Sequence, residues 1–254
     1  MSFKDQVVFV TGGGSGMGRL AAQRMAEAGA KVAAVDVNEA GLAETARENP
    51  AIYTRLLDVT DNEAVLATVK EVEANVGPID RVYNAAAIMP TGLLIEQNTE
   101  TILRIMDVDY KGLVHVAKAT LPGMLERGSG DLINFASIAG WGPTMHFGAY
   151  NAAKFAVVAF SEVLYHENRG KGVRIIAVCP PPVATPLLEQ ATSKPKVLEM
   201  GKPIPPGDVL DAIERDLALG KPFCFPNLQT KIAWIMRRLA PNLVWSWVHR
   251  VEGH

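Results

Sequence analysis

Thr11-Gly12-Gly13-Gly14-Ser15-Gly16-Met17-Gly18 lies between an apolar, β-branched run, Val7–Thr11, and a stretch of helical periodicity, GMGRLAAQRMAEA at 16–28, which ends at Gly29. A strand that turns through glycines straight into a helix brings backbone N–H groups to the positive helix end, where a pyrophosphate binds. The common GxGxxG pattern does not fit, because counted from Gly12 its last position falls on Met17. TGxxxGxG does fit, on Thr11, Gly12, Gly16 and Gly18, with Ser15 and Met17 inside the loop. A flexible strand–helix turn without a ligand is the other reading of these glycines taken alone.

Asp36 favours the phosphate-binding reading. It ends the next expected strand, Lys31–Val37, 18 residues past Gly18, where a carboxylate can bond both ribose hydroxyls of an adenosine. The same carboxylate repels a 2′-phosphate, and neither Val37 nor Ser15 offers a cation to accept one. The expected cofactor is therefore NAD(H), preferred over NADP(H). A helix cap before Asn38 is the structural alternative for Asp36.

Farther out, strands and helices alternate. Helices are expected over Glu39–Glu48 and Asn62–Val76, and strands over Ile52–Leu57 and near Arg81–Ala85. A long helix follows over Thr99–Glu126, broken near Leu121-Pro122, then a strand at Leu132–Ala136, a helix at Tyr150–Asn168 and a strand at Val173–Cys179. The strands are near-continuous apolar runs rather than alternating ones, as in a parallel sheet covered on both faces. The expected fold class is α/β: a single Rossmann domain over 1–254, with a doubly wound, mostly parallel sheet of about seven strands flanked by helices. Pro180–Pro206 is too long for an ordinary connection and is a candidate lid, centred on about 183–206. Residues 229–254 form a helical C-terminal extension.

Composition narrows the function classes. The chain has 254 residues, 48% hydrophobic and 20% charged, with 25 Lys and Arg against 27 Asp and Glu. A net charge of −2 without a basic stripe argues against nucleic-acid binding. Cys179 and Cys224 have no metal-ligand spacing, so no metal site is expected. Lys4 and Asp5 stand where a signal peptide would carry its apolar run, and no uncharged apolar stretch is long enough to span a bilayer, so a cytoplasmic location is expected.

Tyr150 and Lys154 form YxxxK on one face of an expected helix. Ser137 follows the strand Leu132–Ala136, 13 residues before Tyr150, at the carboxyl edge where doubly wound sheets bind ligands. With TGGGSGMG, Asp36, Asp58-Val59 and Asn84-Ala85-Ala86-Ala87, these residues resemble the short-chain dehydrogenase/reductase family, in the branch with TGxxxGxG and YxxxK motifs, from Thr11 to about Thr185. The resemblance implies a nicotinamide-dependent alcohol dehydrogenase or carbonyl reductase. A phenol near pKa 10 is a poor base at neutral pH and needs a neighbouring cation, which Lys154 supplies. Tyr150 would be the general acid/base, Ser137 would fix the substrate oxygen, and Lys154 would also bind the nicotinamide ribose. The resemblance further implies that Asp58 reaches the adenine amino group, Val59 lines its ring, and Asn84 steadies the central strand. Val183 and Thr185 would meet the carboxamide or a phosphate oxygen, with Val37, Ala85, Ala86 and Pro180 also along the cofactor.

Three positions depart from the family pattern. Asn84-Ala85-Ala86-Ala87 replaces NNAG, bringing an extra methyl near the cofactor. Asp109 stands where the family places an asparagine that holds a water linked to the lysine. Its carboxylate changes the charge around Tyr150 and Lys154 and puts that proton relay in question. Pro180-Pro181-Pro182 replaces a Pro-Gly, stiffening the loop beside the nicotinamide.

The residues expected to face substrate are Met89, Pro90, Trp141, Met145, Phe147, Leu187 and Leu188. They suggest a hydrophobic secondary alcohol or ketone, lipid-, steroid- or terpenoid-like, although such residues can equally be core. His146, four residues before Tyr150, reads as a surface loop residue, with a substrate contact as the alternative. The tail combines Trp234, Trp245 and Trp247 with Arg237, Arg238 and Arg250, which suits a cover over the cleft, a subunit contact or a membrane interface. The resemblance implies a homo-oligomer, tetramer or dimer, through Thr99–Glu126 and Tyr150–Asn168. A non-catalytic NAD(H)-binding sensor or scaffold of the same fold is the alternative function. A sugar epimerase or dehydratase of the extended family is disfavoured by length.

Overall fold

The computed structural model of the chain describes residues 3–193, 195–196 and 201–253. Among them, seven strands form one parallel sheet: β1 (Val7–Thr11), β2 (Lys31–Asp36), β3 (Ile52–Leu56), β4 (Ile79–Asn84), β5 (Gly130–Phe135), β6 (Val173–Val178) and β7 (Phe223–Cys224). Their order is β3-β2-β1-β4-β5-β6-β7, a doubly wound Rossmann sheet. The winding reverses between β1 and β4, and the crevice beyond their carboxyl ends is where such folds bind ligands.

Strands β1, β2, β4, β5 and β6 each feed two cores. In β1, Val8 and Val10 pack under α1 (Gly16–Glu27) and α7 (Pro206–Ala218). Val7 and Phe9 point the other way, under α3 (Asn62–Asn75) and α5 (Leu113–Arg127). This explains why β1 is buried at every position rather than alternately. The remaining helices are α2 (Glu39–Ala46), α4 (Thr99–Met106), α6 (Gly148–Glu167), α8 (Leu228–Leu239) and α9 (Pro241–Glu252). Side chains cap four of the helices: Asn38, Asp61, Asn98 and Asn227 each accept a backbone N–H from the first turn of α2, α3, α4 and α8 respectively.

The long helix expected over Thr99–Glu126 is irregular at a different place. Pro122 sits inside α5 without ending it. It lies on the exposed face, as does Lys118, the residue whose carbonyl loses its partner, so water can answer that carbonyl. The irregularity comes earlier, where one wide π turn over Asp107–Gly112 joins α4 to α5. The Asn84 side chain donates to the Leu113 carbonyl at 2.9 Å just beyond this turn, and Ile88 donates its N–H to Asp109 Oδ1 at 2.8 Å within it.

The candidate lid contains a short 3₁₀ turn, Pro186–Gln190, and is held by a parallel bridge between Val183 and Ile204 and by Thr91, whose hydroxyl donates to the Ser193 carbonyl and whose carbonyl accepts from Thr192. Positions 194 and 197–200 of that segment, and 254 of the tail, lie outside the described residues. Among the described residues no helix is long and apolar enough to cross a membrane.

Candidate active site

The glycine loop is tied to the sheet by Thr11. Its hydroxyl lies 3.3 Å from Asn84 Oδ1 and accepts the N–H groups of Ala85 and Ala86 at 3.0 and 3.1 Å, so Thr11 stands behind the crevice and fixes its two walls. Gly12 has φ +67°, and a Cβ there would meet the Ala85 carbonyl at 2.9 Å. At Gly18 the reason for glycine is packing: a Cβ would lie 2.2 Å from the Gly12 oxygen, so only glycine lets α1 start this close to the loop. Ser15 makes no side-chain cap bond, and the first turn of α1 holds no acidic residue.

These groups open onto a groove of about 290 Å³. Gly12, Ser15, Gly16, Met17, Gly18, Asp36, Val37, Asp58, Val59, Ala85, Ala86 and Thr185 all line it. The Asp36 carboxylate accepts the N–H of Gly14 and that of Asn38, both at 2.9 Å, which holds it at the groove edge. Burial works against ionised Asp58, but the Thr60 N–H and hydroxyl and the Arg104 guanidinium outweigh it, keeping this carboxyl below its ordinary range. Arg104, Ile88 and Gln190 also line the groove, with no local motif in the sequence to announce them.

A second cavity of about 500 Å³ adjoins the groove, with Met17, Ala85, Ala87, Thr185 and Leu187 in both walls. Ser137, Tyr150 and Lys154 meet in its lining. Tyr150 and Lys154 are buried one turn apart on α6, and Ser137 follows β5, its hydroxyl oxygen accepting the Ala139 N–H at 3.1 Å. Lys154 Nζ donates to the Phe135 carbonyl at 2.9 Å, lies 3.3 Å from Asp109 Oδ2 and stands 5.5 Å from the Tyr150 ring centre. Burial opposes the Lys154 ammonium, yet Asp109 and Tyr150 outweigh burial and raise its pKa above the ordinary lysine value. Burial lifts the Tyr150 phenol; Lys154 pulls it down, Asp109 pushes it up, and Ser137 pulls it down. The Asp109 carboxyl is itself lifted by burial against the pull of Lys154 and the Ile88 N–H. The ammonium governs this pair, because the Phe135 carbonyl and the Asp109 carboxylate both face it.

Most of the rest of the cavity is apolar, with Thr144, Thr185 and Arg237 as polar lining residues. Met89, Phe147, Leu187 and Leu188 line it, along with Pro180, Pro181, Pro182 and Val183. The triple proline is held from both sides, with the Pro180 carbonyl accepting from Ile138 and the Pro182 carbonyl from Ile204, each at 2.9 Å. Pro90, Trp141 and Met145 are not among the lining residues. The Trp141 ring instead stands edge-on to Phe223 at 5.3 Å and to Trp234 at 5.9 Å, while its Nε1 donates to Cys179 Sγ, so it anchors α8. His146 is half-buried, at φ +65°, with Nδ1 2.8 Å from the Ser193 hydroxyl. The tail supplies the far wall through Met236, Arg237, Leu243, Val244, Trp247 and Val248, the cover over the cleft that the sequence held open as one of three readings. Asn151, unmarked by any motif, ties α6 to this region by donating to the Ala139 carbonyl at 2.7 Å and accepting from the Thr144 N–H. Asn84 lies behind the cavities, its amide bonded to the Leu113 carbonyl and 3.4 Å from Asn134 Oδ1.

Residues 6–196 match the short chain dehydrogenase family profile. A 2-keto-3-deoxy-L-fuconate dehydrogenase of Xanthomonas campestris is 38% identical over 183 residues, 71% of this chain and 59% of its own length. An NAD(+)-named 2-dehydro-3-deoxy-L-rhamnonate dehydrogenase of Sphingomonas is 35% identical over 191 residues, 74% of this chain and 76% of its own. The crystal structure of a short chain dehydrogenase/reductase from Burkholderia phymatum in complex with NAD superposes with a TM-score of 0.86 at 25% identity, covering 96% of both chains.

Proposed function

This chain belongs to the short-chain dehydrogenase family, and from that membership we propose that it interconverts an apolar secondary alcohol and its ketone using NAD(H). The observation that carries the reading is the meeting of Ser137, Tyr150 and Lys154 in a mostly apolar cavity that continues into the glycine-loop groove.

The groove fits a dinucleotide. Positions 12 and 18 tolerate no Cβ, the first turn of α1 carries no acid to repel a phosphate, and Asp36 stands where a ribose diol would lie. Gly12, Ser15, Gly16, Met17 and Gly18 would hold the pyrophosphate, Asp36 the adenosine ribose, and Lys154 the nicotinamide ribose. When bound, the nicotinamide supplies the hydride acceptor or donor.

The chain's own groups handle the proton. Ser137 hydrogen-bonds the substrate oxygen and fixes it at the phenol. Tyr150 takes the hydroxyl proton in the oxidising direction and returns it in the reducing one. Lys154 lowers the cost of the phenolate by its charge. Preference for NAD(H) rests on Asp36, whose charge repels a 2′-phosphate. The nearby cations are engaged elsewhere: Arg19 turns to the Gly14 carbonyl and the Thr45 hydroxyl, and Arg104 pairs with Asp58 at 3.0 Å.

Preference for an apolar substrate rests on the cavity wall. Met236, Leu243 and Trp247 lie beyond the 6–196 family match, so the substrates named for the relatives do not carry over to this wall. We read the chain as one domain that self-associates through α4–α5 and α6, where Leu103, Phe155 and Val163 remain exposed. The test is NADH formation from NAD⁺ across a panel of apolar secondary alcohols. Turnover that Tyr150→Phe abolishes supports the enzyme. Tight NAD(H) binding without turnover on any alcohol or ketone would favour a cofactor-binding sensor.

A further inference from the structure

On α8, Leu228, Ile232, Ile235, Met236 and Leu239 recur at i, i+4, i+7, i+8 and i+11, the spacing of a single helix face. Such a face ordinarily turns to the core. Here all five residues are exposed, Leu239 at 79% and Leu228 at 70%, while Thr230 and Trp234 on the opposite side pack inward. On α9, Leu243 and Trp247, one turn apart, add two more exposed apolar side chains.

Charge accompanies the stripe. Lys231 and Arg238, seven residues apart and both exposed, run along one flank of it, the Arg238 guanidinium resting at its base over the Trp234 ring at 5.5 Å and the Trp141 ring at 5.8 Å. Asn227–Glu252 holds four Lys and Arg against one acid, Glu252, and α8 contains no acid at all, although the whole chain is −2. Positive charge is therefore concentrated on the end of the molecule that also exposes its apolar helix face.

We propose that α8 and α9 dock this protein on an anionic lipid surface, the apolar stripe entering the acyl boundary and Lys231 and Arg238 meeting the headgroups. An interfacial helix needs this combination, a continuous apolar face flanked by long cationic side chains that reach back to the phosphates. A second copy of the chain is the weaker occupant. A two-fold pairing of this face with itself would set cations against cations, with no acid on α8 to answer them. Docking would also bring the cavity to the bilayer, because Met236, Leu243 and Trp247 belong both to the exposed face and to the cavity wall. Entry of substrate from the bilayer rests on the apolar-substrate reading; docking itself does not.

The experiment is co-sedimentation of the full chain with phosphatidylcholine vesicles, with and without phosphatidylglycerol, at low and high salt. Binding to the anionic vesicles only, weakened by salt, is expected. Ile232→Glu with Leu239→Glu should abolish it. Lys231→Gln with Arg238→Gln should weaken it about thirtyfold, at the usual strength of two juxtamembrane cations. Thermal melts of each variant separate lost docking from lost folding. Absence of binding to anionic vesicles, or equal binding to neutral ones, overturns the proposal. So does a double-glutamate variant that lowers the mass in solution while vesicle binding persists, which would make this face a contact between copies. No readout uses turnover, so failure here and failure of the dehydrogenase reading are separate results.

Discussion

Replacing Asp109 by asparagine removes a negative charge from a position with no exposure to water. Asp109 Oδ2 lies 3.3 Å from Lys154 Nζ, which lies 5.5 Å from the Tyr150 ring centre, so the carboxylate acts on that ring from no more than about 9 Å. At an effective dielectric constant of about 20, a unit charge at that distance contributes about 1.8 kcal/mol, or about 1.3 pH units. The sign follows from the ionised form. A nearby anion disfavours the phenolate and raises the phenol pKa, so the phenol of the Asp109→Asn enzyme should titrate lower. Lys154 moves the same way, because its ammonium loses the partner that offsets burial. In alcohol oxidation Tyr150 must be deprotonated, so the rising limb of the rate profile should shift about one unit toward lower pH. Asparagine keeps a carbonyl to accept the Ile88 N–H, so the π turn should survive. Single-turnover NADH formation against pH measures the limb. Titration of the near-ultraviolet phenolate band, with Tyr150→Phe subtracted, measures the phenol without any substrate. An unchanged pKa, or one that rises, would refute the assignment of Asp109 as the charge that sets Tyr150.

Other perturbations read separate parts of the molecule. Asp36→Ala should weaken NAD⁺ binding and narrow the gap to NADP⁺; thermal shifts with each cofactor measure this, and stronger wild-type stabilisation by NADP⁺ would contradict the role of Asp36. Gly18→Ala places a carbon 2.2 Å from the Gly12 oxygen and should abolish NAD⁺ stabilisation, with calorimetry of the titrated cofactor as the check. Asp131→Ala strips a buried partner from Arg81, which is 1% exposed and bonds Asp131 Oδ2 through two nitrogens. It should cost about 3 kcal/mol, a fall in Tm on the order of 10 °C by differential scanning calorimetry.

What could be read from the sequence were features whose cause is local. The TGxxxGxG loop was legible because Gly12 and Gly18 answer to a backbone turn and a contact only six residues apart. YxxxK was legible because helix geometry alone puts Tyr150 beside Lys154. Strands β1 to β6 were long enough to register as apolar runs, whereas the two residues of β7 carry no pattern and exist because the edge of β6 pairs with them. The displaced helix irregularity has the same origin. Pro122 is a visible breaker that its exposed setting renders harmless, while the true π turn is held by Asn84 reaching the Leu113 carbonyl from 29 residues away. The tail shows the limit most clearly. Its composition announced an amphipathic segment, but an apolar face seeks either a core or a non-aqueous neighbour, and only the packing of Trp234 against Trp141 reveals which side of α8 was already used. Once that side is taken, the period that normally points inward leaves Leu228, Ile232 and Leu239 facing out. The face left exposed among the described residues is therefore the part of this sequence whose meaning depends most on something outside it.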